Sequence, residues 1–308
     1  MIVLGSRYKF TQLELDALSE KFEDINFINY GDKNPKEVIS DIESYLKNNQ
    51  KRFVVLNTKA VIPDNLLSYL TKLELKGTTF ITLSEFLERY LHKCHIHEDK
   101  RDISFLSYIK HLSFRQYILK RLIDFVGVAF VAFFSAPVML YSVYRIKKES
   151  PNGSIIFTQD RVGLDGKEFK CYKFRSMIPN AEGDKPKFAS KGDKRTFPWG
   201  ETMRKVRFDE LPQMWNVIKG DMHLIGPRPE RKYWVEQFEK EIPYYNERHI
   251  VRPGITGWAQ IKYPYGENGE DAKHKLMYDL YYIKNWSVVF EFLVVWKTGF
   301  VVFGEKGV

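Results

Sequence analysis

The sequence predicts an α/β chain in two parts: a small Rossmann-like parallel-sheet domain at the amino-terminal end, then a larger mixed α/β domain with an apolar helical hairpin and interfacial amphipathic helices. Three observations lead there. Residues 1 to about 85 alternate short β-rich runs with amphipathic helices. Residues 122 to 144, LIDFVGVAFVAFFSAPVMLYSVY, hold one charge, Asp124. Residues 286 to 303, WSVVFEFLVVWKTGFVVF, form a second apolar stretch rich in aromatic rings. With 308 residues, 44% of them hydrophobic, the chain can fill two ordinary cores.

The first strand is MIVLG, and the helix after it should bury Leu15, Leu18 and Phe22. INFINY, a helix with Val38, Ile39, Ile42, Tyr45 and Leu46, then RFVVLN and TTFITL continue the alternation. No G-x-G-x-x-G follows MIVLGS, so residues 1–90 are expected to be a regulatory or assembly module, able to support a homodimer, and not a dinucleotide site. Residues 91–117 read as a linker containing HKCHIHEDKRD, whose His92, Cys94, His95 and His97 lack a second ligand pair at zinc spacing and are expected to be solvated. Cys94 and Cys171 stand far apart, which excludes a disulfide framework and favours a reducing, cytosol-facing setting; MIVLGSRYKF has no signal-peptide shape.

The apolar run is long enough to cross a bilayer. Two features favour a re-entrant hairpin over about residues 121–145. Lys110, Arg115, Lys120 and Arg121 precede the run and Arg145, Lys147 and Lys148 follow it, drawing both ends to the cytoplasmic side. Pro137, close after Ser135, removes an N–H and clashes with the preceding turn, breaking the helix near its middle. A straight span or a buried core helix is the alternative. The second stretch, interrupted by Glu291 and Lys297, suits a helix lying in the headgroup layer, with a second span or a core helix as the alternatives.

The chain carries 48 Lys+Arg against 39 Asp+Glu, a net charge of +9, which favours an anionic partner. Nucleic acid is disfavoured, because no nucleic-acid module is present and the apolar hairpin has no role in binding one. Residues 150–177 read as two strands joined through GLDGK, and strand alternation puts Lys173 and Arg175 on one face, able to meet one polyphosphate. A helix is expected to end near Asp209 and Glu210, because Pro212 disfavours helical geometry before it. Among Arg204, Lys205 and Arg207 these acids stay ionised, and an ionised Asp serves as metal ligand, general base or nucleophile; spacing alone leaves the three open. Arg228, bracketed by Pro227 and Pro229, is presented from a stiff loop suited to gripping phosphate. VRPGITGWAQIKYPYG, with Arg252, Trp258 and Gln260, adds a loop able to wall a pocket.

Taken in order, KRLIDF, FTQDRVGLDGKEFKCYKFRSM, RFDELPQMWNVIKGDMHLIGPRP, VRPGITGWAQ and YDLYYIKNWS resemble the bacterial sugar transferase family of monotopic phosphoglycosyl transferases. The resemblance covers about residues 118 to 300, within an expected catalytic domain at 118–308. It implies transfer of a sugar 1-phosphate from a UDP-sugar to undecaprenyl phosphate at the cytoplasmic face of the bacterial inner membrane, the first membrane step of surface glycoconjugate synthesis. It implies Asp209 as nucleophile forming an aspartyl phosphosugar and releasing UMP, Mg2+ held by Asp209 and Glu210, and Glu210 in metal organisation or proton handling. Arg204 and Arg228 would clamp phosphate, with Lys173 and Arg175 lining the nucleotide-sugar pocket. Two departures stand out: His223 replaces an expected small hydroxyl residue, and the helix break reads Ser135-Ala136-Pro137. The rival expectation is a non-enzymatic membrane-associated adaptor for polysaccharide assembly, its basic surface on membrane lipid.

Overall fold

The computed structural model describes residues 1–30, 33–48, 53–58, 62–96, 109–179, 195–263, 266 and 268–303. The expected ligand His97 lies outside them. The chain divides into two compact units, Met1–His95 and Ile96–Val308, parting inside the expected linker.

In the first unit strands β1 (Ile2–Leu4), β2 (Asn26–Ile28), β3 (Phe53–Leu56) and β4 (Thr79–Thr82) form a parallel sheet in the order β2-β1-β3-β4. Helices α1 (Gln12–Ser19), α2 (Pro35–Asn48), α3 (Asp64–Leu75) and α4 (Leu83–Phe86) alternate with them, α4 running into a further turn to Leu91. Ile2, Val3 and Leu4 are all buried, as a strand covered on both faces requires. Ile2, Leu4, Val38, Ile42, Val54 and Leu66 form the core. Of the three side chains expected under α1, Leu18 is fully buried, whereas Leu15 and Phe22 are only half-buried, Phe22 beyond the helix and stacked on Phe53.

One expectation fails here. The connector from Lys93 to His95 is buried, not solvated. Glu14, inside α1, is also buried and takes a hydrogen bond from the Tyr8 hydroxyl at 2.7 Å, and Lys93 supplies the cation that a buried carboxylate needs.

The second unit opens with α5, a 36-residue helix from Phe114 to Glu149, started by a capping box between Ser113 and Gln116. Helical structure runs unbroken through Ser135 and Pro137, so the two limbs expected of the hairpin form one helical element. Both of its ends pack on this same unit. At the start Arg121 donates to the carbonyls of Val217 at 2.8 Å and Ile218 at 3.3 Å, satisfying orphan acceptors at the end of α7 (Gln213–Lys219). At the finish the Glu149 carboxylate accepts from the Trp199 N–H at 2.7 Å, capping α6 (Pro198–Lys205), which has no side-chain cap of its own. Between these ends Phe125, Val126, Phe130, Phe133, Phe134 and Leu140 are exposed. Only 11% of the most apolar window is buried, which excludes a core helix.

Strands β5 (Ile156–Val162) and β6 (Glu168–Phe174) form the expected antiparallel hairpin. β7 (His223–Ile225) pairs in parallel with β8 (Gly254–Thr256), with α8 (Lys232–Glu241) between them. That approach is so close that a Cβ on Gly254 would lie 2.0 Å from the Gly226 nitrogen. Helices α9 (Trp258–Lys262), α10 (Gly269–Lys284) and α11 (Val288–Phe303) complete the unit. Val128, Cys171, Met214, Val217 and Met222 tie α5 to β6 and α7, and Ile146, Phe174, Phe197 and Met203 tie it to α6.

On α11, Phe292, Val295, Trp296 and Phe300 are exposed. Glu291, read from sequence as a polar interruption, is buried, and its Oε1 accepts from Lys120 Nζ at 2.8 Å and Trp286 Nε1 at 2.7 Å and from the Tyr282 hydroxyl. It bolts α11 to α5.

Candidate active site

Asp209 and Glu210 sit in a separate 3-10 turn, Phe208–Glu210, and not at the end of the preceding helix. The helix stops at Lys205 because Arg207 adopts left-handed geometry with φ 62°, turning the chain before Pro212 can act. This turn buries both carboxyls yet gives them opposite surroundings.

Glu210 is saturated with cations. Its Oε1 accepts from Lys173 Nζ at 2.8 Å and from an Arg228 nitrogen at 2.7 Å, and Arg207 stands 3.9 Å away. Burial pushes the Glu210 carboxyl upward, but the charges of Arg228 and Lys173 outweigh it and hold the group well below the usual carboxylate range. The same contact, led by the Glu210 charge, holds Arg228 above its ordinary value.

The Asp209 carboxylate takes no hydrogen bond or ion pair among the described residues. Burial pushes it up to about 6; Lys173, Arg204 and Arg207 oppose that shift, and Glu210 adds to it. It therefore stands in a field of cations, a setting in which an ionised carboxylate can serve as metal ligand, general base or nucleophile.

The loop from Gly226 to Pro229 presents Arg228, and its backbone is held by its carbonyls. Gly254 N–H donates to Pro227 O at 2.9 Å, Arg248 to Arg228 O at 2.9 Å, and Arg161 to Pro229 O at 3.0 Å. Lys173 projects from β6 to Glu210. Arg175 does not join it: β6 ends at Phe174, alternation lapses, and the guanidinium turns to the loop after α5, donating to Ser154 O at 2.6 Å, Ser150 Oγ at 2.7 Å and Ser150 O at 2.5 Å. The expected pocket-lining role is thereby replaced by a clamp on that loop. Arg204, half-buried on α6, has no carboxylate within ion-pair range among the described residues and acts on Asp209 through its charge. Ser135 and Pro137 belong to α5, away from this cluster in the chain.

The third loop serves as scaffold. Arg252 donates to Gly220 O at 2.6 Å, Trp258 is buried against Phe290, and Gln260 donates to Ile255 O at 3.3 Å. His223, a departure at the sequence level, is buried and bonded through Nδ1 to Asp124 at 2.5 Å, while the Leu224 N–H donates to the other Asp124 oxygen at 2.8 Å. Burial pushes the His223 imidazole down to about 4 against the pull of Asp124. The single charge of the apolar run thus anchors α5 to β7, the strand leading into the Arg228 loop. Among the described residues no group of three or more His, Cys, Asp and Glu side chains forms a metal cage. A metal here would be held by Asp209 with oxygens of a bound phosphate, a donor set that suits magnesium, and by Glu210 through its second oxygen, since Lys173 and Arg228 already occupy Oε1.

The segment that carries this acidic pair, the proline-bracketed arginine and the long apolar helix is matched by a family model. The model described as bacterial sugar transferase matches residues 115–305. The chain belongs to the bacterial sugar transferase family. The match covers α5 from its second residue onward and every site residue named above. Among curated relatives, the chain is 48% identical over 180 residues to a UDP-N-acetylgalactosamine-undecaprenyl-phosphate N-acetylgalactosaminephosphotransferase of Aeromonas hydrophila, covering 58% of this chain and 42% of that protein. It is 40% identical over 173 residues to a UDP-glucose:undecaprenyl-phosphate glucose-1-phosphate transferase of Xanthomonas campestris pv. campestris, covering 55% of this chain and 36% of that one. A Caulobacter vibrioides protein of the same name is 37% identical over 181 residues, 58% of this chain and 67% of its own length. The chain spans about two fifths of the first two relatives. As a family member with one largely exposed helix long and apolar enough to cross a bilayer, it associates with a membrane.

Proposed function

We propose that this chain is a polyprenyl-phosphate sugar-1-phosphate transferase working at the cytoplasmic face of the bacterial inner membrane. An Asp209 oxygen attacks the sugar-bearing phosphorus of a UDP-sugar; the bond from that phosphorus to the UMP oxygen breaks and UMP leaves. An oxygen of undecaprenyl phosphate then attacks the aspartyl phosphosugar, freeing Asp209 and forming the lipid diphosphate sugar. The relatives' names support the substrates. The observation that carries the chemistry is the contrast in the acidic pair: Glu210 is held by Lys173 and Arg228, whereas Asp209 is buried, ionisable near neutrality and unpartnered among the described residues.

Arg204 and Arg207 supply positive charge where the diphosphate oxygens must lie, lowering the cost of bringing an anion to an anion. Arg228 and Lys173, aligned by Glu210, extend that field. Magnesium held at Asp209 and Glu210 would supply charge neutralisation of the diphosphate. α5, with both ends on one unit and its apolar face outward, is read as entering and leaving on one side, so a lipid phosphate and a soluble nucleotide reach the same aspartate.

The test is UMP release from a panel of UDP-sugars with undecaprenyl phosphate and magnesium. Release by the wild-type chain that is lost in Asp209→Asn and stopped by chelation is expected. No release with any donor, or undiminished release in Asp209→Asn, overturns the reading and leaves a membrane adaptor as its successor.

A further inference from the structure

The Pro-Arg-Pro loop has an unusual mechanical problem. Pro227 and Pro229 have no N–H, so of these three residues only Arg228 can donate from its backbone, and the flanks are held by what donates to their carbonyls. One of those donors is a charged side chain buried far from the acidic pair in sequence. Arg248 is 5% exposed and spends one terminal nitrogen on two acceptors, the Arg228 carbonyl at 2.9 Å and Asp279 Oδ2 at 2.8 Å, while its other terminal nitrogen donates to the Tyr245 hydroxyl at 2.7 Å. Asp279, on α10, is 2% exposed. Burying a guanidinium with nothing to compensate its charge is costly, and Asp279 supplies that compensation for Arg248 at 2.8 Å. Its planar fork spreads donors over two terminal nitrogens and holds carbonyl, carboxylate and phenol in a fixed geometry that a lysine's single ammonium nitrogen does not reproduce.

We propose that Arg248, held by Asp279 and Tyr245, is a positioning residue that sets where the Arg228 guanidinium lies. This rests on the reading of Arg228 as a phosphate grip. Arg248 touches neither Glu210 nor Asp209 among its hydrogen bonds; it acts through the backbone of Arg228 alone. α10 is thereby tied to the reacting site by a chain of two contacts, Asp279 to Arg248 to the Arg228 carbonyl.

The experiment is a double-mutant cycle on UMP release by the full chain, with thermal unfolding followed on each variant. The wild-type chain is assayed first: absence of release defeats the reading of the site itself, separately from this proposal. Given release, Arg248→Lys lowers kcat/KM for the UDP-sugar about a hundredfold, the order of loss that a small misplacement of a gripping group produces. It divides that loss between KM and kcat as Arg228→Lys does, and adds little in an Arg228→Lys background. Tyr245→Phe, which removes one contact and keeps the packing, gives a smaller loss of the same signature and serves if Arg248→Lys fails to fold. Losses that multiply with those of Arg228→Lys, or folded variants with wild-type kinetics, overturn the proposal.

Discussion

Two adjacent carboxyls differ because their neighbours do. Asp209 rises to about 6 chiefly through burial, and the negative charge of Glu210 contributes to the rise. In the proposed mechanism the nucleophile is the ionised form, so UMP release should fall as pH drops through about 6. In Glu210→Gln one negative neighbour is gone and Lys173 and Arg228 are released, both of which favour ionised Asp209, so the acid limb should move to lower pH even as the rate falls. A pH profile of single-turnover UMP release checks this; an unmoved or upward-moved limb contradicts it. At this scale sequence placed Asp209 and Glu210 among Arg204 and Arg207 and presented Arg228 from its own loop, but set Lys173 beside Arg175 and not on Glu210, 37 residues away. It misplaced Arg175, because β6 ends one residue before it, and it missed Arg248 and Asp279, because their target is a backbone carbonyl brought near only by folding.

Elements are fastened to the site by buried polar contacts. Lys120 and Glu291 are each 1% exposed and join α5 to α11. Lys120→Met leaves the Glu291 carboxylate uncompensated and should cost about 3 to 5 kcal/mol, read as a lowered unfolding midpoint in detergent; pairing it with Glu291→Gln should recover part of that loss. A purely additive pair would show that the two charges are uncoupled. β7 and β8 meet through glycines, and a methyl on Gly254 would lie 2.0 Å from the Gly226 nitrogen. Gly254→Ala should therefore cost about 3 kcal/mol of stability and spread the Arg228 loop, checked by unfolding and UMP release together; an unchanged midpoint would contradict the packing. Sequence periodicity marked α5, the β5–β6 hairpin and the amino-terminal alternation, since each follows from local pattern. It could not show that α6 stops at Lys205, which depends on the left-handed Arg207, nor that Glu291 faces inward, which depends on Lys120 from another helix.

At the scale of the whole molecule, the proposed reaction would bring a soluble nucleotide sugar and a lipid phosphate to one carboxylate of the second unit. Its long apolar helix is exposed along its middle and fastened at both ends to the unit that holds Asp209. Single cysteines placed at Lys110 and Lys148 should therefore both react with a membrane-impermeant maleimide from the same side of oriented vesicles. Labelling from opposite sides would establish a straight crossing. Basic residues at both flanks and Pro137 led the sequence reading to expect two limbs, where the structure has one continuous helix through Pro137. That reading also expected the buried Lys93 connector to be solvated, because the need for it lies in Glu14, which sits in the middle of an otherwise ordinary helix.

The most direct measurement is a chemical trap: the chain is mixed with UDP-sugar labelled in the sugar, without lipid acceptor, quenched in acid, digested and mapped by mass spectrometry. A phosphosugar adduct on Asp209, absent from Asp209→Asn and discharged when undecaprenyl phosphate is added before the quench, is the predicted result. UMP release with no adduct on that residue, or an adduct that persists in Asp209→Asn, would contradict the account.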